Sequence, residues 1–111
     1  GICDAYGFSY EVKYETSCPM TFNQSKQADS ATKAAVNLLG EENTDGDIDP
    51  RPFSEDFSIM AQAKPGCFVL MGNGTSGCNG KPLHSPDYDF NDKLLVIGSS
   101  YWSELVEQQL K

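Results

Sequence analysis

The sequence predicts an α/β fold, organised as part of a three-layer domain, and three observations carry this prediction. Residues 5–15 alternate between apolar and polar side chains, which indicates a half-buried strand. Residues 66–72 form an apolar run between glycines, which indicates a strand covered on both faces. Two longer segments repeat apolar side chains at helical spacing. The predicted order is therefore strand, helix, short helix, strand, long loop and helix.

The first predicted strand carries an aromatic face and has no evident hairpin partner. Pro19 ends this part of the chain and turns it. An unpaired strand leaves its edge open to another chain, so residues 6–14 are a candidate surface for self-association. The side chains of the aromatic face are Tyr6, Phe8, Tyr10, Val12 and Tyr14.

The helical periodicity predicts three helices. The first covers residues 23–39, has an alanine-rich apolar face, and is capped by Asn23 or Ser25. A short helix opens with Ser54 as its N-cap and ends before Pro65. The last helix runs from Asp92 to about Gln109, with Asn91 as its cap and Gly98 allowing close approach to the sheet. Its inward side chains are predicted to be Leu94, Ile97, Tyr101, Leu105 and Val106.

The composition limits the classes of partner. The chain has 111 residues, 39% of them hydrophobic, so it forms one small domain or a piece of a larger one. A formal charge of −8, from 16 acidic and 8 basic side chains, disfavours nucleic acid and anionic membranes. No apolar segment approaches the roughly 20 residues of a membrane span, and no signal peptide opens the chain, so we expect a cytoplasmic protein.

The four cysteines predict free thiols. Cys3, Cys18, Cys67 and Cys78 form no Cys-x-x-Cys pair, which argues against structural zinc. Cys67 lies in the predicted buried strand, where a thiol packs as a small apolar group, whereas Cys78 is expected to be exposed. This cysteine usage favours a reducing compartment.

The candidate site is the glycine-rich loop of residues 73–90, which holds the only histidine, His84. A loop of this kind after a buried strand is where open α/β sheets place their sites. The imidazole is a candidate metal ligand or acid–base group, and equally a surface or packing residue. Asp89 is a candidate to orient His84, and Asp89 and Asn91 are equally candidates for helix capping.

Other site patterns fit poorly. The chain has no Gly-x-Ser-x-Gly turn, and Gly80-Lys81 is followed by proline rather than the serine or threonine of a phosphate loop. The alternating acids of residues 45–49 fail the calcium-loop pattern, because Pro50 stands where glycine is needed. We interpret that stretch as a solvated loop.

A set of motifs in fixed order resembles one family. These motifs are Ser54-Glu55-Asp56-Phe57, Pro65-Gly66-Cys67-Phe68, Gly72-Asn73-Gly74, and Leu83-His84-Ser85-Pro86 continuing to Asp92. They resemble the C-terminal part of the metal-dependent amidohydrolases, in the group of hippurate, N-acyl-amino-acid and indoleacetyl-amino-acid hydrolases, related to aminoacylase and zinc carboxypeptidases. Residues 14–23 resemble the exit from that family's lid domain. The resemblance therefore implies a lid strand in residues 1–18 and part of a catalytic domain in residues 19–111.

The resemblance also implies site roles. In that family the histidine of this motif ligates the second metal of a two-metal site that polarises an amide carbonyl and activates water, which makes His84 the implied metal ligand. The implied cofactor is a divalent metal, namely zinc, manganese or nickel. The implied substrate-side candidates are Glu55, Asp56, Gly72, Gly74 and Asn23.

The chain departs from the family in its metal ligands. The other ligands and the glutamate base come from segments before the lid, and this chain has no second histidine. One imidazole cannot supply the three or four protein ligands of a catalytic metal. We therefore expect no catalytic residue here, no stable metal binding by this chain alone, and no activity unless a separate chain supplies the missing ligands.

Overall fold

The structure, a computed structural model of residues 1–111, is built from helices and irregular segments. The elements are α1 (Ile2–Ala5), α2 (Ser25–Leu39), α3 (Phe57–Ala63) and α4 (Leu94–Leu110), with short 3-10 turns at Glu41–Asn43 and Cys78–Gly80. No residue is in a strand, so the predicted α/β fold is wrong.

Both predicted strands fail for the same physical reason. A strand exists through hydrogen bonds to a neighbour, and neither segment finds one within the chain. Residues 9–22 make no backbone–backbone hydrogen bond. In residues 66–72 the only such bond is donated by the Gln24 N–H to the Gly66 carbonyl. The hydrophobic patterns are present, but the partners that would convert them into a sheet are not.

The core lies between α2 and α4, which pack against each other and not against the predicted sheet. Ala31 and Ala34 of α2 and Tyr101 of α4 are buried, with Ala34 fully inaccessible. The small alanine side chains let α4 approach closely, and the Tyr101 hydroxyl donates to the Ala31 carbonyl at 3.4 Å. This helix pair is the most completely packed part of the molecule.

Polar contacts fix the two helices in antiparallel register. The Asn37 amide donates to the Glu104 carboxylate at 2.9 Å, and Gln108 Nε2 donates to the Ser30 carbonyl at 3.0 Å. Residue 37 therefore lies opposite residue 104, and residue 30 opposite residue 108.

The predicted helix boundaries are close to the observed ones, but the caps differ. α2 and α4 each begin two residues after the predicted start, and α3 begins at Phe57 without a capping side chain, so the Ser54 cap is wrong. Asn91 Oδ1 accepts from the Lys93 N–H at 3.2 Å just before α4. The sequence reasoning missed α1. Gly98 does mark a close approach, because a Cβ there would lie 3.7 Å from Met71 Cε, although the neighbour is a single segment and not a sheet.

The molecule is open. Its accessible surface is 9416 Å², whereas a compact monomer of 12.1 kDa is expected to expose about 6,000 Å². The Cα radius of gyration is 19.5 Å, against about 13 Å for a compact domain of 100 residues. Only 4 of 111 residues are buried, so most apolar side chains face outward. None of the helices combines the length and hydropathy that a membrane crossing requires.

Candidate functional site

Asn23 holds the apolar segment 66–72 against the start of α2. Its side-chain amide donates to the Phe68 carbonyl at 3.0 Å and accepts from the Phe68 N–H at 2.7 Å. An amide side chain thus pairs with both backbone groups of one residue, in the way a neighbouring strand would. Asn23, one of the substrate-side candidates, therefore joins two segments of the chain. Its contact with substrate stays a prediction.

Glu55 and Asp56 lie in the turn that begins α3. The Glu55 carbonyl accepts from the backbone N–H and the hydroxyl of Ser58, which is 1% exposed, and the Asp56 carbonyl accepts from the Ile59 N–H. Their carboxylates make no hydrogen bond or ion pair within the chain, and Asp56 is exposed. The next residue, Phe57, packs on Phe68 with ring centroids 5.5 Å apart. Glu55, Asp56 and Asn23 are thus anchored to the same short segment.

Three asparagines close the base of the loop that carries His84. Asn73 Nδ2 donates to the carbonyls of Asn79 at 3.0 Å and Asp89 at 2.8 Å, and Asn73 Oδ1 accepts from the Asn91 N–H at 2.9 Å. Asn91 Nδ2 donates to the Asn73 carbonyl at 3.1 Å, and Asn79 Nδ2 donates to the Asp89 carbonyl at 3.0 Å. We call Asn73, Asn79 and Asn91 the asparagine clasp.

The two glycine candidates differ in their surroundings. A Cβ on Gly74, which has φ +145°, would lie 3.1 Å from Asn79 Cβ, so the clasp requires a residue without a side chain there. Gly72 has open space around its Cα. Gly74 is therefore tied to loop closure, and the substrate-side role of both glycines stays a prediction.

His84 stands at the tip of this loop in an unusual backbone conformation. It is the only residue other than glycine with positive φ, at 72°. The Ser85 N–H donates to the Pro82 carbonyl at 3.1 Å, so His84 occupies the third position of a turn, where type II geometry demands positive φ and favours glycine or asparagine. The imidazole is exposed and makes no hydrogen bond within the chain. Such strained positions cluster at functional sites.

The residues present do not fit a metal ion. Nowhere do three or more His, Cys, Asp or Glu side chains come together in a way that could hold one. Asp89 contributes its backbone carbonyl to the clasp, and its carboxylate makes no bond to His84. Asn91 serves the clasp and the start of α4. The orienting role of Asp89 and Asn91 toward His84 therefore remains a prediction.

Two surface grooves flank α4, and neither contains His84. One, of about 290 Å³, lies between α2 and α4 and is lined mainly by apolar side chains with Cys67 and Tyr101. The other, of about 490 Å³, is formed by Asn73, Phe90 and Asn91 of the loop base and the first turns of α4. Burial raises the pKa of the Cys67 thiol, and it raises the pKa of Tyr101, where the nearby thiolate adds to the effect. Both grooves expose mainly apolar surface, and neither brings polar groups together around a common point.

Sequence reasoning missed Asn73 and Asn79. The available signal was the pair of Asn-Gly steps inside a long loop, because an asparagine side chain can both donate and accept. Their partners are backbone groups up to 18 residues away, and sequence alone does not identify those.

The architecture is open and helical, and His84 belongs to no cluster of three or more candidate metal ligands. A family model for peptidase family M20/M25/M40 matches residues 3–108. The chain belongs to this family. The resemblance recognised in its motifs, to the hippurate hydrolase and indoleacetyl-amino-acid hydrolase group, is thereby confirmed.

Several relatives bear names from that group. The hippurate hydrolase of Campylobacter jejuni is 32% identical over 111 residues, which cover 100% of this chain and 28% of the relative. Thermostable carboxypeptidase 2 of Saccharolobus solfataricus is 32% identical over 101 residues, covering 88% and 24% of the two chains. The IAA-amino acid hydrolase ILR1-like 2 of Arabidopsis thaliana is 32% identical over 95 residues, covering 84% and 21%.

The chain spans about a quarter of the length of the curated relatives it matches. No solved structure matches it.

Proposed function

We propose that this chain is the C-terminal part of a two-metal amidohydrolase that cleaves amide bonds of N-acyl amino acids, and that it is inactive alone. In this proposal residues 1–18 belong to the lid and residues 19–111 to the catalytic domain. The observation that carries it is His84, which occupies a motif that resembles the family's and lies at a strained turn, while the chain brings no three candidate ligands together.

The exposed surface supports an incomplete assembly. The observed area exceeds that of a compact monomer by about 3,400 Å², which is more than the roughly 1,000–2,500 Å² that one partner contributes to an obligate interface. Val69, Leu70 and Met71 are each about half exposed, and their backbone groups make no hydrogen bond within the chain. Apolar side chains next to free backbone groups are what a neighbouring strand would cover. The remainder of a family enzyme is the proposed cover, and it would also supply the missing ligands.

The test is a chimera. The segment of the Campylobacter jejuni hippurate hydrolase that aligns with this chain is replaced by residues 1–111, and hippurate hydrolysis is measured with zinc, manganese or nickel. We expect the chimera to hydrolyse hippurate and the 111-residue chain alone to show no turnover. Turnover of N-acyl amino acids by the chain alone that disappears in His84→Ala would refute the proposed inactivity.

His84→Gly separates a ligand role from a turn role. Glycine accepts positive φ without strain, so this variant keeps the turn and removes only the imidazole. We expect it to abolish hydrolysis in the chimera and to raise the stability of the isolated chain by about 1 kcal/mol. Lys81→Ala, an exposed change in the same loop, is the matched control and should leave hydrolysis unchanged. A fully active His84→Gly chimera would exclude His84 as a ligand.

A second candidate function is a non-catalytic assembly module that associates with another copy through residues 6–14. The favouring observation is the exposure of the aromatic face, which reaches 87% at Tyr14, together with the free backbone groups of residues 9–14. Size-exclusion chromatography with light scattering tests this candidate. A monomer at all concentrations would remove it.

A further inference from the structure

We propose that Asn73 is the positioning residue of the His84 loop, because its side-chain amide group joins the two points between which His84 is suspended. This inference rests on the proposed function for its importance to catalysis. The geometry that carries it, however, is independent of any metal.

One donor group fixes both ends of the His84 segment. Asn73 Nδ2 donates to the Asn79 carbonyl at 3.0 Å and to the Asp89 carbonyl at 2.8 Å. His84 lies midway between residues 79 and 89. The Asn79 side chain adds a direct bond across the same gap, to the Asp89 carbonyl at 3.0 Å. These bonds divide the long loop. The two ends of its outer part, residues 79–89, are held together at Asn73.

The outer part is then stiffened by consecutive turns. On one side the 3-10 turn Cys78–Gly80 leads to Pro82, whose φ is fixed by its ring. On the other side the Tyr88 N–H donates to the Ser85 carbonyl at 3.0 Å, and the Ser85 N–H donates to the Pro82 carbonyl. A chain with few free dihedral angles between two fixed points leaves His84 little freedom. This restraint accounts for its positive φ persisting at an exposed site.

The clasp also fixes the loop relative to α4. Asn73 Oδ1 accepts from the Asn91 N–H, and Asn91 Oδ1 accepts from the Lys93 N–H at the start of the helix. The position of His84 is therefore fixed relative to α4 through Asn73 and Asn91. None of the clasp side chains is charged, and none forms a hydrogen bond with the imidazole.

The experiment compares Asn73→Asp with Asn43→Asp in the 111-residue chain. Asn73→Asp has the same shape and keeps the acceptor for Asn91, but it places a carboxylate oxygen against two carbonyls. Asn43 makes the same kind of bond, from its Nδ2 to the Leu39 carbonyl at 2.9 Å, outside the loop. Backbone hydrogen exchange is followed at Asp89, whose N–H reaches the Cys78 carbonyl across the loop, and at Ser85.

We expect Asn73→Asp to speed exchange at Asp89 and Ser85 about tenfold or more, because two carbonyls lose their donor. The His84 side-chain resonances should shift as well. Asn79→Asp should have a smaller effect in the same direction, and Asn73→Ala should reproduce the loosening without adding charge. Asn43→Asp should leave the loop unchanged, and Trp102 fluorescence should give the same unfolding midpoint for the helix pair in Asn73→Ala as in the unchanged chain.

Unchanged exchange at Asp89 and Ser85 in both Asn73 variants would overturn the inference. So would loosening accompanied by an equal loss of helix-pair stability, which would make Asn73 a general stabilising residue. Failure of the proposed function gives a different result, namely a loosened loop together with a chimera that is indifferent to His84→Gly.

Discussion

The helix pair and residues 6–14 are both strongly patterned in the sequence, yet they have opposite outcomes in the structure. In α2 and α4 apolar faces meet and bury Ala31, Ala34 and Tyr101, although Val106, which was predicted to face inward, is 55% exposed. In residues 6–14 the predicted face points into solvent and the backbone beyond Phe8 is unpaired. The difference teaches that the spacing of apolar side chains specifies which face of an element must be buried. Whether the helix or strand forms depends on whether the segment that would bury this face lies within the chain.

The largest expected effect is on the helix pair. Tyr101→Ala removes a buried aromatic side chain from a core that has few others, and it should lower the free energy of unfolding by about 3 kcal/mol. Thermal unfolding followed by circular dichroism measures this change. Val106→Ala, on an exposed part of the same helix, is the control and should change stability by less than about 0.5 kcal/mol. Equal effects would contradict the assignment of the core to the α2–α4 contact.

An intermediate effect on stability is expected at Asn23, which joins the start of α2 to the unpaired segment 66–72. Asn23→Ala removes both bonds to Phe68 and should cost about 1 kcal/mol, since the freed groups are partly accessible to water. Asn23→Asp keeps the acceptor for the Phe68 N–H but places a carboxylate oxygen against the Phe68 carbonyl, so it should cost at least as much. Urea denaturation gives both values, and exchange of the Phe68 amide reports the local bond. A cost of Asn23→Asp well below that of Asn23→Ala would show that the bond donated to the Phe68 carbonyl contributes little.

These contrasts also explain which parts of the molecule the sequence could predict. A helix closes its hydrogen bonds within a few residues, so α2 and α4 were predicted within about two residues at their starts. Strands depend on distant partners, and both predicted strands are absent. The loop and His84 were located by motif, but the role of Asn73 depends on the carbonyls of Asn79 and Asp89, whose positions only the folded chain defines.

A smaller effect is expected from pH. Burial raises the pKa of Cys67 above its ordinary value of 9.0 and that of Tyr101 above 10.0, so the folded state favours the neutral forms of both. The corresponding stability is fully present below pH 9 and is lost as pH rises through the raised values. Denaturation midpoints should therefore fall above pH 9 in the unchanged chain.

Cys67→Ala should make that fall shallower, because one of the two groups is removed and the thiolate charge near Tyr101 goes with it. The comparison is of slopes against pH, since the substitution also changes packing at neutral pH. Ultraviolet absorbance of the thiolate provides an independent titration. A slope that is identical in Cys67→Ala would show that the thiol does not titrate differently in the folded and unfolded states.

The smallest effect on stability is expected in residues 6–14, where the comparison is sharpest. Tyr10→Ser replaces a side chain that is 57% exposed in a segment without backbone bonds, so it should change the free energy of unfolding by less than about 0.5 kcal/mol. The effect of Tyr10→Ser on self-association should be larger than its effect on stability, because an exposed aromatic side chain contributes mainly to contacts with other molecules. Denaturation and light scattering on the same samples separate the two quantities. A loss of stability comparable to that of Tyr101→Ala would mean that this segment is packed within the chain, and the contrast between the two regions would no longer hold.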